Sequence, residues 1–229
     1  MSVAAHAFVA DLDAPALDDG DRHHLERVLR LRAGELVTVS DGAGRWRTCR
    51  FGLPLEPIDA ITLDPRPDPA IAVAFALVKG DRPELVVQKL TELGVDRIVP
   101  FVAARSVVRW DGPKAARQHE RLVTVAREAA MQSRRSWLPE VEPLAAFADL
   151  ARRPGVALAD RGGATLHPSV HLVLVGPEGG WSDDELAFGL PAIGLGAYVL
   201  RAETAAIAAG ALLCALRHGL VCPPTDHAQ

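Results

Sequence analysis

The sequence predicts an α/β protein in which a small, strand-rich N-terminal domain precedes a larger domain with a mostly parallel sheet. Three observations predict this class. Short apolar segments alternate with turn residues near the N-terminus, prolines occupy every second position within 63–69, and apolar runs then alternate with amphipathic stretches. We therefore place the boundary in the proline-rich segment, which gives domains at residues 1–66 and 67–229.

In the N-terminal domain the pattern predicts one helix and one hairpin. Helical spacing of apolar residues covers Asp21 to Leu31, and a strand follows at Leu36 to Val39. Asp41 to Gly44 is typical of a hairpin turn, and Trp46 to Phe51 is the returning strand. This order is typical of a small sheet.

The larger domain is predicted from strands and helices that alternate along the chain. The predicted strands are Ile71–Val78, Arg97–Val102, Val156–Ala159 and His171–Val175. The predicted helices run from Pro83 to a stop at Gly94, over Lys114–Gln132, from a capping box at Ser182 and Glu185 to near Leu190, and over Thr204–His218. Such alternation indicates a parallel sheet covered by helices.

The composition is that of an ordinary folded protein, with 49% hydrophobic and 24% charged residues. The best apolar run, Ile71 to Val78, ends at Lys79 and is too short to cross a membrane. The N-terminus has no basic, apolar leader, and the three cysteines lack metal-ligand spacing. We therefore expect a cytoplasmic protein without a membrane segment or a metal.

The net charge of −4 does not suggest a nucleic-acid partner, but the arginines are clustered. Arginine outnumbers lysine 22 to 3. Basic residues gather near 22–50, 97–117 and 121–135. An RNA-binding surface and a composition bias explain these clusters equally well.

A glycine-rich loop follows the strand at His171–Val175. The sequence Gly176–Gly180 lies between this strand and a capped helix, which is where open α/β sheets collect ligands. It matches neither the dinucleotide fingerprint nor the phosphate-binding loop, and Glu178 would repel a triphosphate. The loop therefore predicts either a cationic or hydrogen-bonding ligand or only a tight connection.

A second loop, Leu195 to Ala205, leads into an alanine-rich helix. Thr204 is a candidate cap for this helix, and Glu203 complements the helix dipole. Arg201 has no such structural role. The small residues of the helix are explained equally by buried packing and by a dimer contact.

Several segments in the same order resemble the RsmE family, methyltransferases of the SPOUT class that modify uridine N3 in 16S ribosomal RNA. The matching segments are His23–Arg32, Asp41–Gly44, Gln88–Val95, Arg105–Val108, Gln132–Arg135 with Pro139–Glu140, Gly176–Gly180 and Leu200–Ala205. Each is modest alone, and together they cover nearly the whole chain.

The resemblance implies a PUA-like β-barrel followed by an α/β SPOUT domain with a deep trefoil knot, in a homodimer. It implies binding of S-adenosylmethionine at Leu174, Gly176, Pro177, Glu178, Gly179, Gly180, Leu195, Gly196, Leu200, Thr204 and Ala205. Arg201 and Glu203 become the candidate catalytic residues. The candidate contacts with 16S ribosomal RNA, or with the small subunit, are Arg22, His24, Arg27, Arg30, Arg32, Arg105 and Arg135.

Two other functions are compatible with the same residues. One is a related knotted methyltransferase that acts on transfer RNA or on a ribose hydroxyl. The other is a non-catalytic RNA-binding factor in ribosome assembly.

Overall fold

The structure is a computed structural model, and it describes residues 3–222. The chain forms two compact units, one of Met1–Pro67 with Arg127–Leu138 and one of Asp68–Ala126 with Pro139–Gln229. Nothing in the sequence indicated that residues 127–138 join the first unit. The domains predicted at 1–66 and 67–229 stay a prediction.

The first unit contains a five-stranded sheet in the order β1-β2-β3-β4, with β5 also pairing with β3. The strands are β1 Ala5–Phe8, β2 Leu36–Ser40, β3 Arg45–Arg50, β4 Glu56–Pro57 and β5 Thr62–Leu63. β2 and β3 form the expected antiparallel hairpin, in which the carboxylate of Asp41 accepts hydrogen bonds from the backbone of Ala43 and Arg45. Gly42 and Gly44 have the positive φ angles that this turn needs.

The helix predicted over Asp21 to Leu31 begins and ends earlier. An α-helix, α1 (Asp19–His23), passes into a π-helical turn at His24–Val28. The side chain of Asp18 accepts a hydrogen bond from the backbone of Asp21, so the helix begins before the apolar pattern does. The prediction was therefore wrong at both ends, because apolar spacing does not reveal a cap.

Asp64, in the proline-rich segment, accepts hydrogen bonds from three side chains of the first unit. Its carboxylate accepts hydrogen bonds from Trp46 Nε1 at 3.0 Å and from the Ser136 hydroxyl at 2.5 Å. Its carbonyl accepts one from Trp137 Nε1 at 3.2 Å. A Cβ atom at Gly44 would lie 2.4 Å from the Trp137 ring, so only glycine permits this close contact.

The second unit contains a parallel seven-stranded sheet in the order β12-β10-β11-β6-β7-β8, with β9 also pairing with β7. The strands are β6 Ala72–Ala76, β7 Arg97–Val102, β8 Glu140–Val141, β9 Ala145–Ala146, β10 Val156–Ala164, β11 Leu172–Val175 and β12 Ala192–Ile193. The central strands β6 and β11 are buried along their whole length, which explains their continuous apolar sequences.

Five further helices lie in the described part of the chain, and the last residues of α3, from Arg127, belong to the first unit. They are α2 Arg82–Leu93, α3 Gly112–Gln132, α4 Phe147–Leu150, α5 Asp183–Leu186 and α6 Ala202–Arg217. α2 ends, as predicted, at Gly94 in the left-handed conformation. α6 packs on α2, and a Cβ atom at Gly210 would lie 2.5 Å from Leu90 Cδ2. Buried packing therefore accounts for the small residues on this face of α6.

Two helices differ from the sequence-based prediction. The capping box of Ser182 and Glu185 is confirmed, but α5 ends at Leu186 and not near Leu190. Gly189 has a φ of +65°, so the chain turns there before reaching β12. α6 begins at Ala202 with Arg201 at the N-cap, so Thr204 lies within the first turn and does not cap it.

Within residues 3–222 no helix has the length and apolar character needed to span a bilayer. The same residues contain no cluster of three or more His, Cys, Asp or Glu side chains that could hold a metal ion.

Candidate active site

A cleft lies where three segments meet at the carboxyl ends of neighbouring strands. β11 ends at Val175 and continues into the glycine loop Gly176–Gly180. Asp160 and Arg161 of β10 line the cleft just beyond Ala159, the last residue of β10 that pairs with β11. Residues 195, 196 and 198–200, after β12, complete the walls. Because β10, β11 and β12 are parallel neighbours, their ends meet at one edge of the sheet. This edge is where the sequence predicted a ligand.

Most of the predicted cofactor residues line this cleft. They are Gly176, Pro177, Glu178, Gly180, Leu195, Gly196, Leu200 and Ala205. Leu174 is fully buried inside the sheet, Thr204 is exposed on α6, and Gly179 faces another part of the unit. The cleft thus gathers both predicted loops, and the binding roles of these residues stay a prediction.

Trp181 holds the glycine loop against the core. Its indole Nε1 donates a hydrogen bond to the carbonyl of Ala159 at 3.1 Å, and its ring is stacked on Phe101 at 6.2 Å between centroids. A Cβ atom at Gly176 would lie 3.1 Å from the indole, so the loop starts in close contact with this ring. Trp181 therefore fixes the floor of the cleft.

Arg105 contacts the other side of the glycine loop. Its Nη1 donates a hydrogen bond to the carbonyl of Gly179 at 3.2 Å, and a Cβ atom at Gly179 would lie 3.3 Å from Arg105 Cβ. Gly179 therefore packs closely against Arg105, and its predicted role in cofactor binding stays a prediction. Arg105 is exposed, so its predicted contact with RNA stays a prediction.

Glu185 joins the loops after β7 and β11. Its carboxylate is buried and accepts hydrogen bonds from the backbone of Ser182 and of Ala104, both at 2.8 Å. The first bond belongs to the capping box, and the second fixes the segment that carries Arg105. The capping box therefore also positions the wall beside the glycine loop.

The two candidate catalytic residues have opposite surroundings. Arg201 is exposed, and its side chain makes no capping hydrogen bond at the start of α6. Glu203 is only 9% exposed. Its Oε1 lies 3.6 Å from Arg82 Nε, and its Oε2 is buried without a hydrogen-bond partner among the described residues. Arg201 is thus available to a substrate, whereas Glu203 is held inside the protein.

Some residues of this site were missed from the sequence. Asp160, Arg161, Tyr198 and Val199 line the cleft, and Arg82 contacts both Glu178 and Glu203. The only available signal was position, since Arg82 and Asp160 each lie just beyond an apolar run. The order of strands in the sheet, which brings them together, cannot be read from a single sequence.

The candidate RNA contacts of the first unit surround the π-helical turn. His24, Arg27, Arg30 and Arg32 are exposed. Arg22 is half-buried, with its guanidinium 3.8 Å from the carboxylate of Asp19. Exposed Val28 and Leu29 lie among these cations. Arg135 is half-buried and so offers less surface to a phosphate.

Comparisons with known proteins identify the family. The family model described as an RNA methyltransferase domain matches residues 65–214, and that of an RNA methyltransferase PUA domain matches residues 17–52. Ribosomal RNA small subunit methyltransferase E of Mycobacterium bovis is 35% identical over 230 residues, which cover 88% of this chain and 87% of the relative. The protein of the same name from Bacillus subtilis is 31% identical, with 80% and 82% covered. This chain belongs to the ribosomal RNA small subunit methyltransferase E family.

Solved structures of similar proteins agree with this assignment. The family member from Neisseria gonorrhoeae, bound to S-adenosylmethionine, is 29% identical with a TM-score of 0.76, and 90% of this chain and 95% of that one are covered. A putative methyltransferase from Legionella pneumophila in complex with the same cofactor is 28% identical, with a TM-score of 0.77 and 94% and 98% covered. The predicted fold class, a PUA-like domain followed by an α/β methyltransferase domain, is confirmed. The knot stays a prediction.

The matched ranges divide the candidate residues between the two family domains. The methyltransferase domain at 65–214 contains the cleft, Arg201 and Glu203, whereas the PUA domain at 17–52 contains the exposed arginines around the π-helical turn. The cleft therefore lies in the part of the chain that matches the methyltransferase domain, and the exposed arginines lie in the part that matches the PUA domain.

Proposed function

We propose that this protein transfers a methyl group from S-adenosylmethionine to N3 of a uridine in 16S ribosomal RNA of the small subunit. The observation that carries the proposal is the cleft at the end of β11 and beside residues 159–161 of β10. It is built by the two predicted cofactor loops, within a chain whose relatives bind this cofactor. We propose further that the enzyme is a cytoplasmic homodimer whose methyltransferase domain contains the predicted knot.

The residues of the cleft fit S-adenosylmethionine better than a nucleotide triphosphate. Backbone groups around Gly176, Gly180 and Gly196 are accessible because these residues have no side chains. The acidic groups Asp160 and Glu178 outnumber Arg161, the one cation among the described residues that line the same cleft, which favours a ligand with positive charge. S-Adenosylmethionine supplies a methyl group on a positively charged sulfur.

Arg201 would stabilise the substrate in its reactive form. N3 of uracil becomes a good nucleophile only when its proton leaves, and the negative charge then spreads onto the neighbouring carbonyl oxygens. A guanidinium that donates to such an oxygen lowers the energy of this anion. Arg201 suits this role because it is exposed beside Leu200 and Ala202, which line the cleft.

Glu203 is the proposed proton acceptor. Its carboxylate lies in the first turn of α6, two residues after Arg201, and only one of its oxygens is close to Arg82. The other oxygen is buried without a hydrogen-bond partner within residues 3–222, so its capacity to accept a hydrogen bond is unused. For its N3 proton to reach this carboxylate, the target uracil must leave the base stack of the RNA.

The proposed RNA-binding surface is the group of exposed cations around the π-helical turn. His24, Arg27, Arg30 and Arg32 would contact phosphates, which fixes the position of the RNA without reading its sequence. Arg22, Arg105 and Arg135 remain further proposed contacts.

Methyl transfer to small ribosomal subunits that lack the modification tests the proposal. We expect label from methyl-labelled S-adenosylmethionine to enter 16S ribosomal RNA and to be recovered as 3-methyluridine after digestion to nucleosides. Label recovered in transfer RNA or at a ribose hydroxyl would contradict the proposed substrate. Failure to bind S-adenosylmethionine in calorimetry would favour a non-catalytic RNA-binding factor instead.

A further inference from the structure

Arg82 lies where the central strand β6 leads into α2. It is the first residue of α2, and the buried Pro83 follows it and fixes the start of the helix. Gly80, with a φ of +71°, turns the chain between strand and helix. Because β6 pairs with β11, this connection emerges at the same edge of the sheet as the glycine loop. Arg82 thus enters the site from a third segment.

The guanidinium of Arg82 lies between two carboxylates from different loops. Its Nε is 3.6 Å from Glu203 Oε1, and its Nη1 is 3.6 Å from Glu178 Oε1. The exposed fraction of the side chain rises from 11% at Glu203 to 37% at Arg82 and 58% at Glu178. The three charges therefore form a series from the interior to the cofactor cleft.

Glu203 depends on this arginine for its charge balance. A carboxylate that is nine-tenths buried is costly unless a cation or several hydrogen bonds compensate it. Arg82 is the cation recorded beside Glu203, and Glu203 Oε2 has no hydrogen-bond partner among residues 3–222. Without Arg82 the buried carboxylate would lack the cation that compensates its charge.

We propose that Arg82 is a positioning residue that holds two carboxylates of the active site, Glu178 and Glu203. It orients Glu203, the proposed proton acceptor, and it holds Glu178 at the wall of the cofactor cleft. The contacts of Arg82 in the site are with these two carboxylates, so we infer that it acts through them. The inference rests on the proposed function, because it assigns Arg82 to the site where methyl transfer would occur.

If Arg82 has this role, Arg82→Ala should lower two quantities, the affinity for S-adenosylmethionine and the rate of methyl transfer. The affinity for S-adenosylmethionine falls about tenfold because Glu178 is no longer held, and the single-turnover rate at saturating cofactor falls by a similar factor because Glu203 is no longer oriented. A tenfold change corresponds to about 1.4 kcal/mol, which lies between the ~0–1 kcal/mol of an exposed ion pair and the ~3–5 kcal/mol lost when one partner of a buried pair is removed. Arg82→Lys restores part of each, since one ammonium keeps the charge but cannot reach two carboxylates equally.

Double-mutant cycles separate this role from a general effect on folding. In a Glu178→Gln background Arg82→Ala should no longer lower cofactor affinity, and in a Glu203→Gln background it should no longer lower the rate. The matched control is Arg121→Ala, which removes a two-pronged ion pair with Glu84 of the same helix α2. This control should leave cofactor affinity and rate unchanged.

Fully additive effects in both cycles would overturn the proposal, because Arg82 would then act independently of the carboxylates. Equal losses in Arg121→Ala would also overturn it, since loss of any ion pair on α2 would then suffice. Failure of the wild-type protein to bind S-adenosylmethionine is a different result, which refutes the proposed function itself. Thermal unfolding of each variant confirms that the compared proteins are folded.

Discussion

Arg201 and Glu203 are separated by one residue, yet the start of α6 gives them different environments. Arg201 stands at the N-cap in an extended conformation with its side chain in solvent, whereas Glu203 turns inward to Arg82. An exposed arginine is free to change its contacts when a substrate arrives. A buried, ion-paired carboxylate has a fixed position, which suits a group that must meet one proton.

We expect Arg201→Ala to lower the rate of methyl transfer by roughly a hundredfold or more, the size typical of losing one donor to a transition state. Affinity for S-adenosylmethionine should change far less, because the contact strengthens only as the uracil loses its proton. Lysine should restore the rate only in part. Single-turnover transfer to unmodified small subunits measures the rate, and Arg152→Ala on the surface serves as control. A normal rate in Arg201→Ala would remove this residue from the mechanism.

Gly180 offers a test of the glycine loop with a matched control. It lines the cleft with a φ of +70°, and Gly189 has a φ of +65° but does not line it; neither has an atom within 4 Å of an added Cβ. Valine strains the backbone similarly at both positions, but only at 180 does the side chain enter the cleft. We expect Gly180→Val to lose cofactor affinity in calorimetry and Gly189→Val to keep it. Equal affinities would place the cofactor elsewhere.

Among the helices, strands and turns, the sequence predicted best those features that depend on residues close together in the chain. The hairpin at Asp41–Gly44, the capping box of Ser182 and Glu185 and the stop at Gly94 were all confirmed, because each is a short-range interaction. The predicted ends of α1 and α5 were wrong, because the spacing of apolar residues does not show at which residue a helix begins or ends. The contacts of Arg82 could not be predicted, because they depend on which strands are neighbours.

β1 contains a titratable group whose burial couples stability to pH. Burial lowers the pKa of His6 to about 4 from its ordinary 6.5; a hydrogen bond with the backbone of Arg135 opposes this shift, and the charge of Arg134 adds to it. The unfolded chain therefore binds a proton between pH 6.5 and 4 that the folded protein does not. Stability from this group is fully present above pH 6.5 and is lost as the pH falls toward 4.

We expect His6→Gln to flatten this dependence. The free energy of unfolding of the wild-type protein should fall by about 3 kcal/mol between pH 6.5 and 4 because of His6, at about 1.4 kcal/mol for each pH unit. The glutamine variant lacks this contribution. Urea unfolding at several pH values measures the difference, and parallel curves for the two proteins would contradict the assignment.

In the whole molecule, the cofactor cleft lies in the second unit, whereas most of the proposed contacts with RNA phosphates lie in the first. The exposed arginines near the π-helical turn belong to the first unit, and the cleft belongs to the second. The membership of residues 127–138 in the first unit was not predictable, because it rests on contacts of Trp137 with Asp64 and Gly44, which are far apart in sequence.

The division predicts the behaviour of a double variant of the first unit. Arg27→Ala with Arg30→Ala should weaken RNA binding and reduce its dependence on salt. With fewer phosphate contacts, fewer counterions are released from the RNA when the protein binds. Affinity for S-adenosylmethionine should be unchanged. Fluorescence titrations with RNA at several salt concentrations, beside calorimetry with the cofactor, test both statements. Loss of cofactor binding with RNA binding intact would reverse the assignment.

Mass spectrometry of 16S ribosomal RNA from a strain that lacks this gene measures the proposed methyl transfer in the cell. We expect one 3-methyluridine to disappear, the wild-type gene to restore it, and the Arg201→Ala gene to restore it poorly. An unchanged set of modified nucleosides in the deletion strain would rule out the proposed activity. Loss of a methyl group from a ribose or from transfer RNA would rule out the proposed substrate.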